Sequence, residues 1–185
     1  MKQINGMIKL HDLEFEPYLS ANELEETIAE LAQQIHKDYK DKTPVFVGVL
    51  NGSFMFLSDL VKHYPGPCEI QFVRFKSYEG TNSTGEVKTL LDFSNLEEKD
   101  LIIVEDIVDT GHTLEAIVNR LEQGEQKSYQ IASLFLKPEA YQKEIEINYV
   151  GMAIPNNFIV GYGLDYNELG RNLPEIYQLK QQHND

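Results

Sequence analysis

The chain has 185 residues, of which 42% are hydrophobic, so one domain with a substantial core is expected. The single cysteine, Cys68, excludes an intramolecular disulfide, and no apolar run approaches the roughly 20 residues of a membrane-spanning helix. The formal net charge of −14 argues against broad nucleic-acid binding, and the start of the chain lacks the apolar stretch of a signal peptide, so a soluble cytoplasmic protein is expected.

Predicted strands and helices alternate along the chain. Ser20 and Glu23 have the spacing of a capping box at a helix start. Leu101–Val104 is a continuous apolar run, typical of a strand that is buried on both faces of a parallel sheet. In chain order, the sequence predicts a short strand and a loop within 7–19, a helix from Ser20, a strand at 45–50, a helix after Asn51-Gly52-Ser53, a strand at 69–75, a polar mobile loop at 76–87, a strand at 88–93, the strand with Leu101–Val104, a helix with Thr113 as N-cap, and strands at 129–136, 145–150 and 158–162. This alternation predicts an α/β fold with a mainly parallel sheet.

Polar loops follow three of these strands, after Leu50, Glu105 and Leu136. Ligands of such sheets bind beyond the carboxyl ends of the strands, so these three loops are expected to meet at one site.

The segment from Leu101 to Thr113 is the most informative part of the chain. Its apolar strand leads into Glu105 and Asp106, and then into Asp109-Thr110-Gly111-His112-Thr113 at the start of a helix. Backbone N–H groups at a helix start, beside a glycine and two hydroxyls, form a pocket for a phosphate. The acids suit sugar hydroxyls, a metal ion or a proton to be taken, and Asp109 is either a general base or a helix N-cap. The segment therefore predicts a phosphorylated sugar held close to a general base.

Residues 104–113 resemble the phosphoribosyl-pyrophosphate motif of the type I phosphoribosyltransferases. Four further segments resemble other motifs of that family, in the family's order: Leu50-Asn51-Gly52-Ser53-Phe54 the pyrophosphate loop, Ser77-Tyr78 with 83–87 the flexible catalytic loop, Lys137-Pro138 the purine-binding lysine, and 158–168 with Arg171 the base-binding hood. Together they resemble the hypoxanthine-guanine phosphoribosyltransferases, of the bacterial type.

This resemblance implies a type I phosphoribosyltransferase-like core, with a mainly parallel sheet flanked by helices, plus a small hood formed by the N- and C-terminal segments. Residues 1–185 would form a single domain, with its core at about 20–150 and its hood at about 1–19 and 151–185.

The implied activity is a pentosyl transfer of purine salvage. The 5-phosphoribosyl group of phosphoribosyl pyrophosphate would pass to N9 of hypoxanthine or guanine, giving IMP or GMP and pyrophosphate, with Mg²⁺ as cofactor. The family usually forms homodimers or homotetramers, and in it the peptide that matches Leu50–Asn51 is often cis. Many relatives have a basic residue where this chain has Asn51. Because Asn51 is uncharged, pyrophosphate binding here is expected to depend on backbone N–H groups and Arg171.

The resemblance also assigns roles to residues. The catalytic base would be Asp109, and the metal ligands Glu105, Asp106 and Asp165. The 5′-phosphate and ribose would be held by Glu105, Asp106, Asp109, Thr110, Gly111, His112 and Thr113, the purine by Lys137, Phe158, Ile159 and Asp165, and the pyrophosphate by Leu50, Asn51, Gly52, Ser77, Tyr78 and Arg171.

Plainer interpretations exist for several of these residues. Lys137 fits an exposed lysine at a strand end, Phe158 a core aromatic, His112 a solvated loop histidine, and 76–87 an ordinary hairpin loop. Two other functions also remain open: a phosphoribosyltransferase for another base, such as adenine, a pyrimidine or xanthine, and an RNA-binding regulator on the same fold. Because a lysine ammonium only donates hydrogen bonds, Lys137 favours a 6-oxo over a 6-amino purine, and the net charge opposes RNA binding.

Overall fold

A computed structural model describes residues 3–4, 6–77 and 87–180 of the chain. Its strands are β1 (Gln3–Ile4), β2 (Met7–Leu10), β3 (Leu13–Leu19), β4 (Val45–Leu50), β5 (Glu69–Ser77), β6 (Val87–Leu91), β7 (Asp100–Val108), β8 (Ser128–Leu136), β9 (Tyr149–Ala153), β10 (Ile159–Val160) and β11 (Ile176–Leu179), and its helices are α1 (Ala21–Tyr39), α2 (Phe54–His63) and α3 (His112–Leu121). In the part of the chain described here, no helix is long and apolar enough to cross a membrane.

The larger sheet has six strands in the order β6-β5-β4-β7-β8-β9. Every neighbouring pair is parallel except β5 and β6, which are antiparallel at one edge. Successive residues of β4 point to opposite faces, so Val45 and Val47 pack with α3 while Phe46 packs with α1 and α2. Apolar residues on both faces of the central strands therefore produce a sheet with helices on both sides, and the predicted fold class is confirmed.

The smaller sheet is antiparallel, in the order β1-β2-β3-β11-β10. It joins the first strands of the chain to the last ones and has its own apolar cluster, which includes Ile8, Phe15 and Val160. This sheet forms the hood.

Helix α1 begins as the sequence predicts. Ser20 is the N-cap; its side chain accepts from the backbone N–H of Glu23 at 3.3 Å, and the Glu23 carboxylate accepts from the backbone N–H of Ser20 at 2.8 Å. The capping box is thus complete, and it depends only on local sequence.

Several predicted boundaries were wrong. Helix α3 is capped by Gly111, not by Thr113, because Gly111 adopts a left-handed conformation (φ 86°) that lets the helix begin earlier. Residues 7–19 form two paired strands rather than one strand and a loop, since the chain reverses at His11 (φ 51°). The strand predicted at 145–150 is β9, which begins only at Tyr149 and ends at Ala153.

Two further strands are shorter than predicted. Strand β10 stops at Val160 because Gly161 and Tyr162 have positive φ angles, and β6 ends at Leu91. The loop predicted at 76–87 joins two antiparallel strands, as expected, but residues 78–86 lie outside the described part of the chain.

Candidate functional site

The carboxyl ends of β4 and β7 border an open cleft of about 500 Å³. Its lining is Val49, Leu50, Gly52, Phe75, Glu105, Asp106, Ile107, Val108, Asp109, Thr110, Gly111, His112, Thr113 and Leu114. Two of the three predicted loops therefore line one cleft, and the third, after β8, reaches it through the contact between Lys137 and Asp109.

The loop before α3 presents the start of that helix to the cleft. Gly111 is buried, and a Cβ added there would lie 2.6 Å from Tyr141 Cε2 and 2.8 Å from Lys143 Cγ, so a glycine is required both for space and for its positive φ. His112 and Thr113 are exposed beside it, and α3 has no side-chain cap. The first N–H groups of α3 consequently remain available to an anion.

Tyr141 and Lys143 belong to a strand-free segment, residues 137–148, that supports this loop from behind. Lys143 Nζ lies 2.7 Å from Glu115 in the first turn of α3, and the backbone N–H of Gln142 donates to the Thr110 carbonyl at 3.4 Å. The sequence does not predict this support, because it depends on contacts with a loop about thirty positions earlier in the chain.

Glu105 and Asp106 lie in β7 and line the same cleft. Burial, and then the neighbouring Asp106 charge, raises the pKa of Glu105 well above its ordinary value. Burial raises the pKa of Asp106 to about 6; the Ile107 N–H and the Arg171 charge act in the opposite direction, and the charge of Asp165 adds to the rise. Both carboxyl groups thus lie where a negative charge is poorly compensated by the protein.

That environment suits a bound cation, which would favour both ionised carboxylates. Among the described residues, however, no group of three acidic, histidine or cysteine side chains could hold a metal by itself. Mg²⁺ usually binds through one or two carboxylates together with substrate phosphates. The residues present therefore fit a Mg²⁺ ion that arrives with a phosphorylated substrate.

Asp109 and Lys137 form an ion pair across the ends of β7 and β8, with Lys137 Nζ 2.9 Å from Asp109 Oδ2. Lys137 is only 6% exposed, so it is not the exposed strand-end lysine of the plainer interpretation. The Asp109 side chain is 44% exposed and does not cap α3. A buried ammonium is thereby placed at the entrance of the cleft, next to an accessible carboxylate.

Phe158 is 41% exposed, so the alternative of a core aromatic is wrong. Its ring is edge-on to Tyr166 at 5.8 Å between centroids and tilted against Phe15 at 5.9 Å. The neighbouring Ile159 is buried, and its backbone pairs with β11. The hood therefore holds Phe158 from two sides while part of its ring remains open to a planar ligand.

The loop after β4 meets β7 and the hood without an intervening side chain. The Leu50–Asn51 peptide is cis. A Cβ on Gly52 would lie 1.6 Å from Asp106 Oδ2, and a Cβ on Gly163 would lie 2.0 Å from the Gly52 carbonyl oxygen. These two glycines form what we call the glycine seam.

Arg171 lies beside this seam. Its Nη1 donates to the Gly163 carbonyl at 2.8 Å, and its Nη2 lies 2.7 Å from Asp165 Oδ1. Its Nε is buried and has no hydrogen-bond partner among the described residues. Of the other two predicted pyrophosphate contacts, Ser77 ends β5 with its side chain undescribed, and Tyr78 lies outside the described residues.

Comparisons with known proteins agree with this geometry. A family model described as the phosphoribosyl transferase domain matches residues 16–167. A relative from Staphylococcus aureus, named hypoxanthine-guanine phosphoribosyltransferase, is 46% identical over 167 residues, which cover 89% of this chain and 93% of the relative. A crystal structure of a hypoxanthine phosphoribosyltransferase from the same species matches with a TM-score of 0.84 at 46% identity, covering 89% of this chain and 91% of that one.

A second solved structure is more distant in sequence but equally similar in fold. It is a hypoxanthine-guanine phosphoribosyltransferase from Bacillus anthracis with a HEPES molecule in the active site, and it matches with a TM-score of 0.84 at 38% identity over 89% of this chain and 98% of that one. The similarity therefore covers nearly the whole of each relative.

Replacing Asp106 with asparagine should stabilise the free protein at neutral pH. Because the pKa of this buried carboxyl is raised from 3.8 to about 6, the folded state binds the proton more tightly than the unfolded state. The stability that protonation provides is complete below 3.8 and is lost as the pH rises through about 6. Asp106→Asn avoids that loss, so its free energy of unfolding should exceed that of the wild type by about 1–3 kcal/mol above pH ~7.

Urea denaturation of both proteins in the presence of a chelator would measure this difference across the pH range. A difference that stays constant from acid to neutral pH would contradict the prediction.

Proposed function

Because this chain belongs to the phosphoribosyltransferase family, we propose that it transfers the 5-phosphoribosyl group of phosphoribosyl pyrophosphate to N9 of a 6-oxopurine, hypoxanthine or guanine, in purine salvage. In the reaction, the N9–C1′ bond forms, the bond from C1′ to pyrophosphate breaks, and the base loses one proton. The observation that carries the proposal is the pairing of Lys137 with Asp109 at the edge of a cleft that is lined by the loop from Asp109 to Thr113.

The donor's 5′-phosphate would bind to the loop from Asp109 to Thr113. The free N–H groups at the start of α3 support this assignment, as do the hydroxyls of Thr110 and Thr113, which line the cleft. His112 lies exposed at the same helix start and would lie beside the phosphate.

The ribose would lie over Glu105 and Asp106, whose carboxylates accept hydrogen bonds from its hydroxyls or bind Mg²⁺. Asp165 is the third proposed ligand of the metal. Mg²⁺ would neutralise the pyrophosphate as it leaves. The protein itself would hold that anion through the backbone of Leu50, Asn51 and Gly52 and through Arg171, together with Ser77 and Tyr78.

The purine would lie between Phe158 and Lys137. Phe158 offers a ring face for stacking, and Lys137 offers donors to O6 of the base. The backbone of Ile159 and the carbonyl of Asp165 would contact the other edge of the base. Because the Lys137 ammonium has no acceptor, a 6-amino group would leave its buried charge unpaired, which disfavours adenine.

Asp109 would take the proton from N7 of the base. Its carboxylate is accessible, and it bonds to the same lysine that would bind O6. When Lys137 turns to O6, Asp109 Oδ2 loses that hydrogen bond and is free to accept the proton from N7.

An RNA-binding role has less support than catalysis. A net charge of −14 opposes binding to a polyanion that brings no ordered cation with it. We also place the protein in the cytoplasm, which suits the free thiol of Cys68.

The direct test is an assay with phosphoribosyl pyrophosphate, Mg²⁺ and each purine base in turn. Hypoxanthine or guanine should be converted to its nucleotide with release of pyrophosphate, whereas adenine should be converted at least about a hundredfold more slowly. Omission of Mg²⁺ should abolish turnover. If no 6-oxopurine is converted under these conditions, the proposal fails.

Asp109→Asn should retain the fold and lose most of the turnover, because the amide cannot take the purine proton. We expect kcat to fall by about a hundredfold or more. Asp92→Asn is a matched control: Asp92 is 42% exposed and also forms a 2.9 Å ion pair, but with Arg120, outside the cleft. Near-normal kcat in Asp109→Asn, with both variants folded by circular dichroism, would remove Asp109 from the role of base.

We further propose that the protein is a homodimer or homotetramer, assembled through the edge of the large sheet. Ile70 and Phe72 of β5 and Leu91 of β6 are between 40% and 48% exposed, and neighbouring strand positions place them on one face. Ile70→Lys should lower the molar mass measured by light scattering, while Leu169→Lys, at an equally exposed leucine of the hood, should not. A wild-type mass equal to that of one chain would refute the assembly.

A further inference from the structure

The hood contains a tight turn, residues 161–164, whose backbone conformation is unusual. Gly161, Tyr162 and Gly163 have successive positive φ angles of 104°, 48° and 100°. Gly161 and Leu164 exchange two backbone hydrogen bonds of 3.0 Å, so the turn is closed on itself. A tyrosine in this region of φ is uncommon and directs attention to what its side chain contacts.

The side chain of Tyr162 leaves the hood and enters the core beside α2. It is 6% exposed and belongs to the same apolar cluster as Phe56, Leu57 and Leu60. Its hydroxyl donates a short hydrogen bond to Asp59 Oδ2. Burial, and then this hydrogen bond, raises the pKa of Tyr162 far above its ordinary value, so the hydroxyl remains a donor.

Helix α2 is in turn rigidly connected to the loop after β4. Ser53 Oγ donates to the Val49 carbonyl at 2.7 Å, and the backbone N–H of Leu57 donates to the Ser53 carbonyl at 2.8 Å. The turn thus contacts one rigid unit at two places: Tyr162 at Asp59 within α2, and Gly163 at Gly52 just before it.

We propose that Tyr162 is a positioning residue for the transfer reaction, whose hydroxyl, by bonding to Asp59, holds the hood turn at the distance from the Leu50–Gly52 loop that places Arg171 and Asp165 opposite Asp106. This inference rests on the proposed function. Arg171 and Gly163 are joined by two hydrogen bonds. The Arg171 guanidinium donates to the Gly163 carbonyl, and the Gly163 backbone N–H donates to the Arg171 carbonyl. A displaced turn would therefore carry Arg171 with it.

The hydrogen bond of Tyr162 should matter for the binding of pyrophosphate and not for that of the 5′-phosphate. Pyrophosphate would bind between the Leu50–Gly52 loop and Arg171. Its binding would therefore depend on the distance between this loop and the hood turn, which Tyr162 fixes. The 5′-phosphate loop is supported instead by Tyr141 and Lys143, on the other side of the cleft. Loss of the Tyr162 hydroxyl should then weaken the binding of the pyrophosphate group while leaving the binding of a sugar phosphate unchanged.

Tyr162→Phe tests this inference because the variant keeps the ring and removes only the hydroxyl. We expect the KM for phosphoribosyl pyrophosphate to rise about tenfold, the change that would follow if the full contribution of a hydrogen bond to a charged group were lost from pyrophosphate binding. The Kd of ribose 5-phosphate, measured by calorimetry, should be unchanged.

Tyr149→Phe is the matched control. Tyr149 is 2% exposed, and its hydroxyl also lies within hydrogen-bond distance of an aspartate, Asp38 at 2.9 Å, and of Gln130 Oε1 at 2.6 Å, but outside the cleft. Both variants should lose comparable stability, and only Tyr162→Phe should alter the KM. If the two variants have the same kinetic constants, Tyr162 has only a structural role and the inference is overturned.

Variants of the acceptor give a second test, which remains decisive even if Tyr162→Phe folds poorly. Asp59→Asn keeps an oxygen that accepts from Tyr162 and should retain a KM close to that of the wild type, whereas Asp59→Leu should reproduce the increase. Both variants remove the charge that pairs with Lys62, so the comparison isolates the hydrogen bond. Equal KM values in the two Asp59 variants would overturn the inference, while an inactive wild-type protein would instead refute the proposed function.

Discussion

The arrangement of the whole site depends on the glycine seam, where three parts of the chain meet so closely that neither glycine has room for a Cβ. Gly52 follows β4, the carboxylate of Asp106 comes from β7, and Gly163 comes from the hood. No Cβ fits at either glycine, so these parts approach more closely than side-chain packing would allow. The distance between the large sheet and the hood is consequently set by the backbone, which responds less to thermal motion than flexible side chains do.

Electrostatics explains why so acidic a protein suits a substrate that is itself a polyanion. Glu105 is buried and Asp106 half-buried, both with raised pKa values, and the guanidinium of Arg171 already pairs with Asp165. The free site therefore carries an electrostatic cost, which a divalent cation entering with the substrate would relieve. The free protein would then give up some stability so that a cation and its phosphates are favoured together, a compromise that is common where function requires uncompensated charge.

The sequence predicts those features that depend on neighbours along the chain. The capping box at Ser20 needs only Glu23, and the buried strands β4 and β7 need only their own apolar runs, so their presence was predicted correctly. The loop predicted after Glu105 begins later, because β7 continues to Val108. The cap of α3 was misplaced because a threonine is the better N-cap by side chain, whereas the space around Gly111 is limited by Tyr141, thirty positions later.

Features that depend on residues far apart in the chain could not be predicted from the sequence, for the same reason. The burial of Lys137 follows from its ion pair with Asp109, and the contact between Tyr162 and Asp59 joins residues that are 103 positions apart. The pattern Gly161-Tyr162-Gly163 did contain a signal, since a residue between two glycines often lies in a strained turn. It gave no indication of which helix the tyrosine would contact.

The pair of Lys137 and Asp109 links recognition of the base to its chemistry. In the free protein, each side chain satisfies the other, so the buried ammonium is not left without a partner. In the proposed reaction, a 6-oxopurine would replace this contact with two others, in which O6 accepts from the lysine and N7–H donates to the aspartate. A 6-amino purine would not compensate Lys137, because its exocyclic amine and the ammonium are both donors. If Asp109 is the general base, selection of the base and release of Asp109 would be one event, since a ligand that binds Lys137 would free Asp109 to accept the proton.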